Sequence, residues 1–372
     1  MVAGYTAGMV WFLLSFGFAA ALTLIVVRSG RLHAHLSADH DLSGPQKFHS
    51  RPVPRVGGVG IFGALLLVAL GLAWWRTDGA SRMALLLLAC GLPAFGAGVV
   101  EDLTKRVSPR IRLLATAVSA LLAVWLLDAS VIRTDLPGLD WIAGTAVGAA
   151  LLAMLVVAGI ANAVNIIDGF NGLASMCVLM MLVSVTYVAY QVGDNALVMA
   201  GLIGAGALLG FFVWNYPAGL IFLGDGGAYF LGFYFAELGI LLVHRNPEVS
   251  PLFPLLLAIY PVFETLFSMY RRKFVRGHAF SMPDGVHLHS LIYRRVLRWA
   301  IGSQDAKTMT RRNSMTAPYL WLLCMMAVGP SLLFWNDSRI LGAFILVFGV
   351  TYVVLYAKIV RFKAPRWMVI RR

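Results

Sequence analysis

Long apolar runs separated by short polar connections recur from one end of the chain to the other. Runs of roughly 17 to 25 residues are what a helix needs to cross the hydrocarbon core of a bilayer. They predict spans near Tyr5 to Val27, Gly57 to Trp75, Met83 to Val100, Ile111 to Leu127 and Ile142 to Ile160. Six more are predicted near Leu173 to Val192, Ala196 to Trp214, Ala228 to Val243, Pro251 to Tyr270, Ala317 to Phe334 and Ile340 to Ala357. The expected fold class is all-α: one integral membrane domain over 1–372 with about 11 transmembrane helices. The alternating short strands of a membrane β-barrel are missing from the pattern. Pro93, Pro251 and Pro261 are expected to bend or start helices where neighbours satisfy the freed carbonyls. The first run has no basic leader and is too long for a signal-peptide core, so it is expected to be a retained span.

Composition agrees: 60% hydrophobic residues, 13% charged residues and a mean hydropathy of +0.80 leave most of the surface to be solvated by lipid. The formal charge of +13 does not imply a nucleic-acid partner, because the basic residues fall in short clusters between apolar runs. They report topology instead. With the amino terminus outside, the connections 28–56, 101–110 with Arg112, 271–316 and 358–372 face inward and hold 5, 4, 10 and 6 of the 30 Lys and Arg residues. Only Arg76, Arg82, Arg133, Arg245 and Arg339 remain outside, the bias the positive-inside rule requires. Cys90, Cys177 and Cys324 lie in apolar runs with no metal or redox spacing, and read as small buried hydrophobes.

Four polar clusters fall on connections assigned to the inner face, although that assignment used Lys and Arg alone. Glu101 and Asp102 follow the third span, ahead of Lys105, Arg106, Arg110 and Arg112. Adjacent carboxylates repel and invite a cation between them, the alternative being a solvated helix end. Asn162, Asn165 and Asp168 are spaced three apart and share a helix face, leading to Gly169, Asn171 and Gly172. Such side chains between apolar helices line a wet cavity or form a structural polar seam. Asp225 stands among Gly224, Gly226 and Gly227, where it is a hard oxygen ligand for Mg2+ or a helix N-cap. The connection 271–316 carries Arg276, Asp284, His287 and His289, suited to a diphosphate as cationic donors, with zinc the weaker reading. Leu288, Ile292, Val296 and Ala300 in the same connection repeat at helical spacing beside Arg294, Arg295 and Arg298, which predicts a short interfacial helix or a structural anchor. Upstream, Lys47, His49 and Arg51 precede a Pro-Val-Pro turn and suit a lipid phosphate as well as they suit topology. Glu237 and Glu264 are predicted within spans and must face protein or a cavity, Glu264 pairing with Arg271.

At these residues, from His49 to His289, the chain resembles the polyprenyl-phosphate N-acetylhexosamine-1-phosphate transferases, and within them the GlcNAc-1-phosphate transferase-like branch of glycosyltransferase family 4. The acidic pair with a distant arginine resembles Glu101, Asp102 and Arg112. The Asn-x-x-Asn-x-x-Asp-Gly signature matches Asn165 and Asp168; the Leu-Gly-Asp loop matches Asp225, and the histidine loop matches Asp284, His287 and His289. Glu101 departs from a common Asp, as does Asn171.

The resemblance implies transfer of a (modified) N-acetylhexosamine-1-phosphate from a UDP-sugar, such as UDP-N-acetylglucosamine, to undecaprenyl phosphate. UMP would be released and a cell-envelope glycan started, with the O-antigen of lipopolysaccharide and the cell wall as candidates. It implies a Mg2+ cofactor, with Mn2+ as the alternative ion, a multi-pass position in a bacterial plasma membrane, a site facing the cytoplasm and a homodimer. Asp225 and Asp168 would hold the metal; Glu101, Asp102 and Asp168 would act in catalysis. Lys47, His49, Arg112, Asn162, Asn165, Asn171, Arg276, Asp284, His287 and His289 would bind substrate. The rival readings are a phospho-N-acetylmuramoyl-pentapeptide transferase and a non-enzymatic lipid or ion transporter. The transporter predicts charges near the bilayer centre and repeated halves, neither of which is clear in the chain.

Overall fold

The computed structural model describes residues 2–30, 53–75, 78–275, 286–297 and 306–361. Lys47, His49, Arg276 and Asp284 lie outside the described residues. The helices are α1 (Val2–Arg28), α2 (Gly57–Trp75), α3 (Gly79–Thr104), α4 (Pro109–Leu127), the short α5 (Leu139–Ala143), α6 (Ala146–Ile167), α7 (Leu173–Gln191) and α8 (Asn195–Asn215). They continue as α9 (Gly224–Arg245), α10 (Leu252–Leu257), α11 (Ile259–Tyr270), α12 (Leu288–Leu291), α13 (Ala306–Leu333) and α14 (Ser338–Val360). The fold is all-α, and among the described residues 10 helices are long and apolar enough to span a membrane. The ninth predicted span, Pro251 to Tyr270, is split: α10 and α11 meet at Ala258, with Pro254 and Pro261 removing backbone donors on either side.

Hydropathy misplaces helix ends where polar side chains turn toward protein instead of lipid. α6 runs on to Ile167, so Asn162 and Asn165 lie in its last turns. α9 begins at Gly224 and carries Asp225 in its first turn. α13 begins at Ala306, about three turns before its apolar run.

α9 is the axis of the bundle. Every residue from Gly224 to Val243 is buried, and the helix packs against α2, α3, α6 and α7. α1, α4 and α14 form the rim and leave much of their apolar surface for lipid. Trp74, Trp75, Trp125 and Trp141 are all exposed at the far ends of α2 and α4 and on α5, as in the aromatic belt of a bilayer interface. The apolar face of the segment Leu288–Leu297 is buried against α13 and α14, the structural-anchor alternative for this segment, and its Arg295 guanidinium caps carbonyls of Ile359 and Val360 at the end of α14.

Candidate active site

The predicted inner ends of α3, α6, α9 and α11 come together at one end of the bundle. Asp102, at the last turn of α3, accepts from the backbone N–H groups of Asp225 and Gly226, each at 2.9 Å. A side chain 123 residues away thus caps the amino end of α9, where unpaired amides and the helix dipole favour an anion. Gly224 adopts φ +76°, and a Cβ there would stand 1.9 Å from the Arg55 carbonyl oxygen and 2.6 Å from Asp102 Oδ2. Cβ atoms at Gly58 and Gly98 would lie 2.3 Å and 2.5 Å from the backbone of Gly227 and Gly226. These glycines therefore let three helices cross in contact. The amides of Asp225 and Gly226 serve Asp102.

Asp225 is buried and surrounded by cationic and amide donors. Its Oδ1 receives Arg55 Nη2 at 3.3 Å and Asn165 Nδ2 at 3.0 Å, and its Oδ2 pairs with Arg112. The Arg112 guanidinium also lies 5.6 Å above the Tyr229 ring, whose hydroxyl donates to Asn162 Oδ1 at 3.3 Å. Asp168 follows the last residue of α6, and the nearby backbone N–H of Gly224 places it beside Asp225. Desolvation pushes its carboxyl up to about 7, against the opposing pull of Arg55 and the Gly224 amide. Arg55 reaches this cluster because residues 54–58 pair in extended fashion with 222–223, Phe222 N–H donating to Pro54 and Gly57 N–H to Phe222.

Glu101 points elsewhere: its Oε2 accepts from Val107 N–H at 2.7 Å and orders the loop to α4. The adjacent carboxylates therefore do not share a cation; each has its own set of donors. Asn171 is buried and binds through its amide nitrogen to Pro217 and Ser314, while its N–H donates to Asn313. These contacts tie the 168–172 turn to α13, whereas a substrate contact was expected. Cys177 and Cys324 place their sulfurs 3.2 Å apart, a proximity that 147 intervening positions conceal in sequence.

The histidines pack against the Asp168 turn. His287 and His289 stack at 5.1 Å, His289 meets the Phe170 ring at 5.4 Å, and a Cβ at Gly169 would lie 3.7 Å from His289 Nε2. His287 Nδ1 lies 2.9 Å from Glu264 Oε1, so the partner of Glu264 is His287 where Arg271 was expected; Arg271 donates to the Tyr356 hydroxyl. Arg55, Tyr229 and the Glu264–His287 pair escape sequence reading because their partners lie far along the chain. The one available signal was the cost of a carboxylate inside a span.

Among the described residues no group of three or more His, Cys, Asp or Glu side chains is arranged to cage a metal ion. Mg2+ needs no such cage when phosphates supply oxygen ligands: one or two carboxylates suffice. Asp225 and Asp168, which lie on either side of Gly224, are hard oxygen donors of that number and kind. The donor set fits a phosphate-bound Mg2+, with Arg55 and Arg112 supplying further positive charge.

Residues 84–243 match the model of glycosyl transferase family 4. An undecaprenyl-phosphate alpha-N-acetylglucosaminyl 1-phosphate transferase of Thermotoga maritima is 30% identical over 267 residues, covering 70% of this chain and 74% of its own. A probable undecaprenyl-phosphate N-acetylglucosaminyl 1-phosphate transferase of Bacillus subtilis is 26% identical over 282 residues, covering 67% of this chain and 68% of its own.

Proposed function

The chain belongs to glycosyl transferase family 4, and from that premise we propose that it transfers an N-acetylhexosamine-1-phosphate from a UDP-sugar to undecaprenyl phosphate at the cytoplasmic face of a bacterial plasma membrane. The observation that carries this reading is the gathering of Asp102, Asp168, Asp225, Arg55 and Arg112 at one end of the bundle, where a membrane-bound acceptor meets a soluble donor. N-acetylglucosamine is the first sugar to test, since both relatives carry it in their names.

In the reaction an oxygen of the acceptor phosphate attacks the sugar-bearing phosphorus of the donor. The bond from that phosphorus to the bridging oxygen of UMP breaks, leaving undecaprenyl diphosphate sugar and UMP. One diphosphate is exchanged for another, so catalysis rests on charge neutralisation and in-line positioning. Asp225 and Asp168 would hold Mg2+, which when bound would supply Lewis acidity and positive charge to the phosphate oxygens. Arg112 and Arg55 are placed to move from Asp225 to the incoming diphosphate, since each already reaches the pocket through an ion pair with Asp225. Asp102 acts by seating the first turn of α9, and so the direction of Asp225. An acceptor that arrives ionised needs no general base, and the contact of Glu101 with Val107 gives that residue a loop-ordering role.

The test is an incubation of purified protein in bilayer nanodiscs with undecaprenyl phosphate, Mg2+ and a panel of radiolabelled UDP-sugars. Release of UMP with label in the lipid is expected. A transporter moves a substrate and leaves the label in its original molecule, and that outcome would overturn the proposal.

A further inference from the structure

One fully buried acid at the site end has no part in the chemistry above. Glu264, on α11, has 0% of its surface exposed and accepts from three sources: His287 Nδ1 at 2.9 Å, the Leu288 backbone N–H at 3.2 and 3.3 Å, and the Tyr352 hydroxyl at 2.8 Å. An ionised carboxylate is an acceptor only. Toward such a group the ring nitrogen of His287 must carry its hydrogen on Nδ1. Nε2, on the opposite edge of the ring, is then left for a ligand.

The setting favours orientation over mere cohesion. Burying a carboxylate is costly, and an apolar or amide side chain of the same size would hold α11 and α14 together at less expense in free energy. Only a carboxylate can satisfy all three donors at once. The His289 ring lies against Gly169 and Phe170, next to Asp168, and the His287 ring stacks on it. A second contact closes the same segment, Tyr356 on α14 donating to the Val286 carbonyl at 3.2 Å while it receives Arg271 at 2.7 Å. The last helix of the bundle thereby fixes a segment that faces the reacting groups.

We propose that Glu264 is a positioning residue: through Nδ1 of His287 it presents Nε2 of that ring to the diphosphate bound at the site. The inference rests on the phosphosugar-transfer reading, and the experiment separates the two. Transfer from UDP-N-acetylglucosamine to undecaprenyl phosphate is measured in nanodiscs for the wild type, Glu264→Gln, Glu264→Asp, Tyr352→Phe, His287→Gln and the Glu264→Gln/His287→Gln double variant.

Glu264→Gln should lower kcat at least about 10-fold, the range expected when the partner of an orienting histidine is lost, with KM for the donor changed less than about 3-fold. Glu264→Asp keeps the carboxylate and should recover most of that loss. Acting only through His287, Glu264→Gln should add nothing to His287→Gln in the double variant. Losses that multiply, or an Asp variant no better than the Gln variant, would overturn the inference. Should Glu264→Gln fail to insert, Tyr352→Phe decides: it keeps both members of the pair, should lower kcat about 2- to 5-fold, and should also be silent in a His287→Gln background. A wild-type rate in Tyr352→Phe, or additivity with His287→Gln, then rejects the inference. A wild type that transfers no sugar from any donor overturns the functional reading and this inference together.

Discussion

The two halves of α9 treat a buried acid in opposite ways. At its first turn Asp225 has both oxygens engaged by Arg55, Asn165 and Arg112, and its neighbour Asp102 accepts two backbone amides. Glu237, twelve residues further along and roughly 18 Å up the helix, is fully buried, and neither carboxylate oxygen has a hydrogen-bond partner among the described residues. Charge is supported where it must persist through a reaction and left unsupported where it need not exist. The contrast supports the proposed chemistry at one end of the bundle and a packing role for the middle of α9.

The largest effect expected from breaking this contrast comes from the supported end. Asp225→Asn and Asp168→Asn should each lower the rate of UMP release at least about 100-fold, the order seen when one charge-stabilising group is removed. A wild-type rate in either variant, with normal membrane insertion, would remove that residue from the mechanism. Chelation should act the same way from outside. EDTA should abolish turnover and added Mg2+ should restore it, with Mn2+ restoring it in part, because the phosphate oxygens need a hard cation. Undiminished turnover in EDTA would leave the arginines as the only neutralising charges.

The next effect concerns the backbone that seats those charges. Gly224→Ala forces a Cβ against the Arg55 carbonyl and Asp102 at a positive φ. For an alanine that conformation alone costs about 1–2 kcal/mol, before the overlap is counted. Turnover should fall at least about 10-fold, because Asp225 and the Asp102 cap shift together. Gly329 on α13 is half-buried with nothing within 4 Å of its added Cβ, and Gly329→Ala should leave turnover within about 2-fold, since alanine suits a helix interior better than glycine. Equal losses at both positions would mean that the first turn of α9 is not a specially fitted element.

Much of this end was legible in the chain. Apolar run lengths set the all-α membrane fold, and the Lys and Arg bias put Asp102, Asp168, Asp225 and His287 on connections of one face, which the structure brings together. What stayed hidden follows from long-range pairing. The glycines around Asp225 look like a ligand-binding loop, yet Gly58, Gly98, Gly226 and Gly227 are small because helices cross there, and sequence does not record which helices meet. Arg55 sits in a basic connection whose charge reads equally as topology, and its ion pair with Asp225 depends on an extended pairing 170 positions apart. Glu264 was readable as an expensive residue but not as the partner of His287, because segments outside any helical repeat bring the two together.

A smaller effect separates the proposed metal-binding role of Asp168 from its charge alone. Its carboxyl is pushed up to about 7, so below that pH it is increasingly protonated and loses its value as an oxygen ligand. Turnover at limiting Mg2+ should fall toward tenfold per pH unit as pH drops below about 7. Because proton and metal compete for the same oxygens, raising Mg2+ should move the acid limb to lower pH. An acid limb that stays fixed over a hundredfold range of Mg2+ would assign the ionisation to another group.

The smallest effect on rate, and the sharpest check on the contrast, comes from the unsupported half. An interior carboxyl without partners stays protonated or costs several kcal/mol, and even protonated it leaves polar atoms unmatched. Glu237→Met keeps the length of the side chain and removes both oxygens. It should raise stability against thermal unfolding by about 1–3 kcal/mol, the penalty attached to an unsatisfied buried group, and leave UMP release within about 2-fold. The same substitution at Asp225 removes a group held by two arginines and should do the reverse. If Glu237→Met instead lowers turnover tenfold without loss of folded protein, an acid in the middle of α9 takes part in the reaction, and the chemistry extends into the membrane beyond the cluster at the helix end.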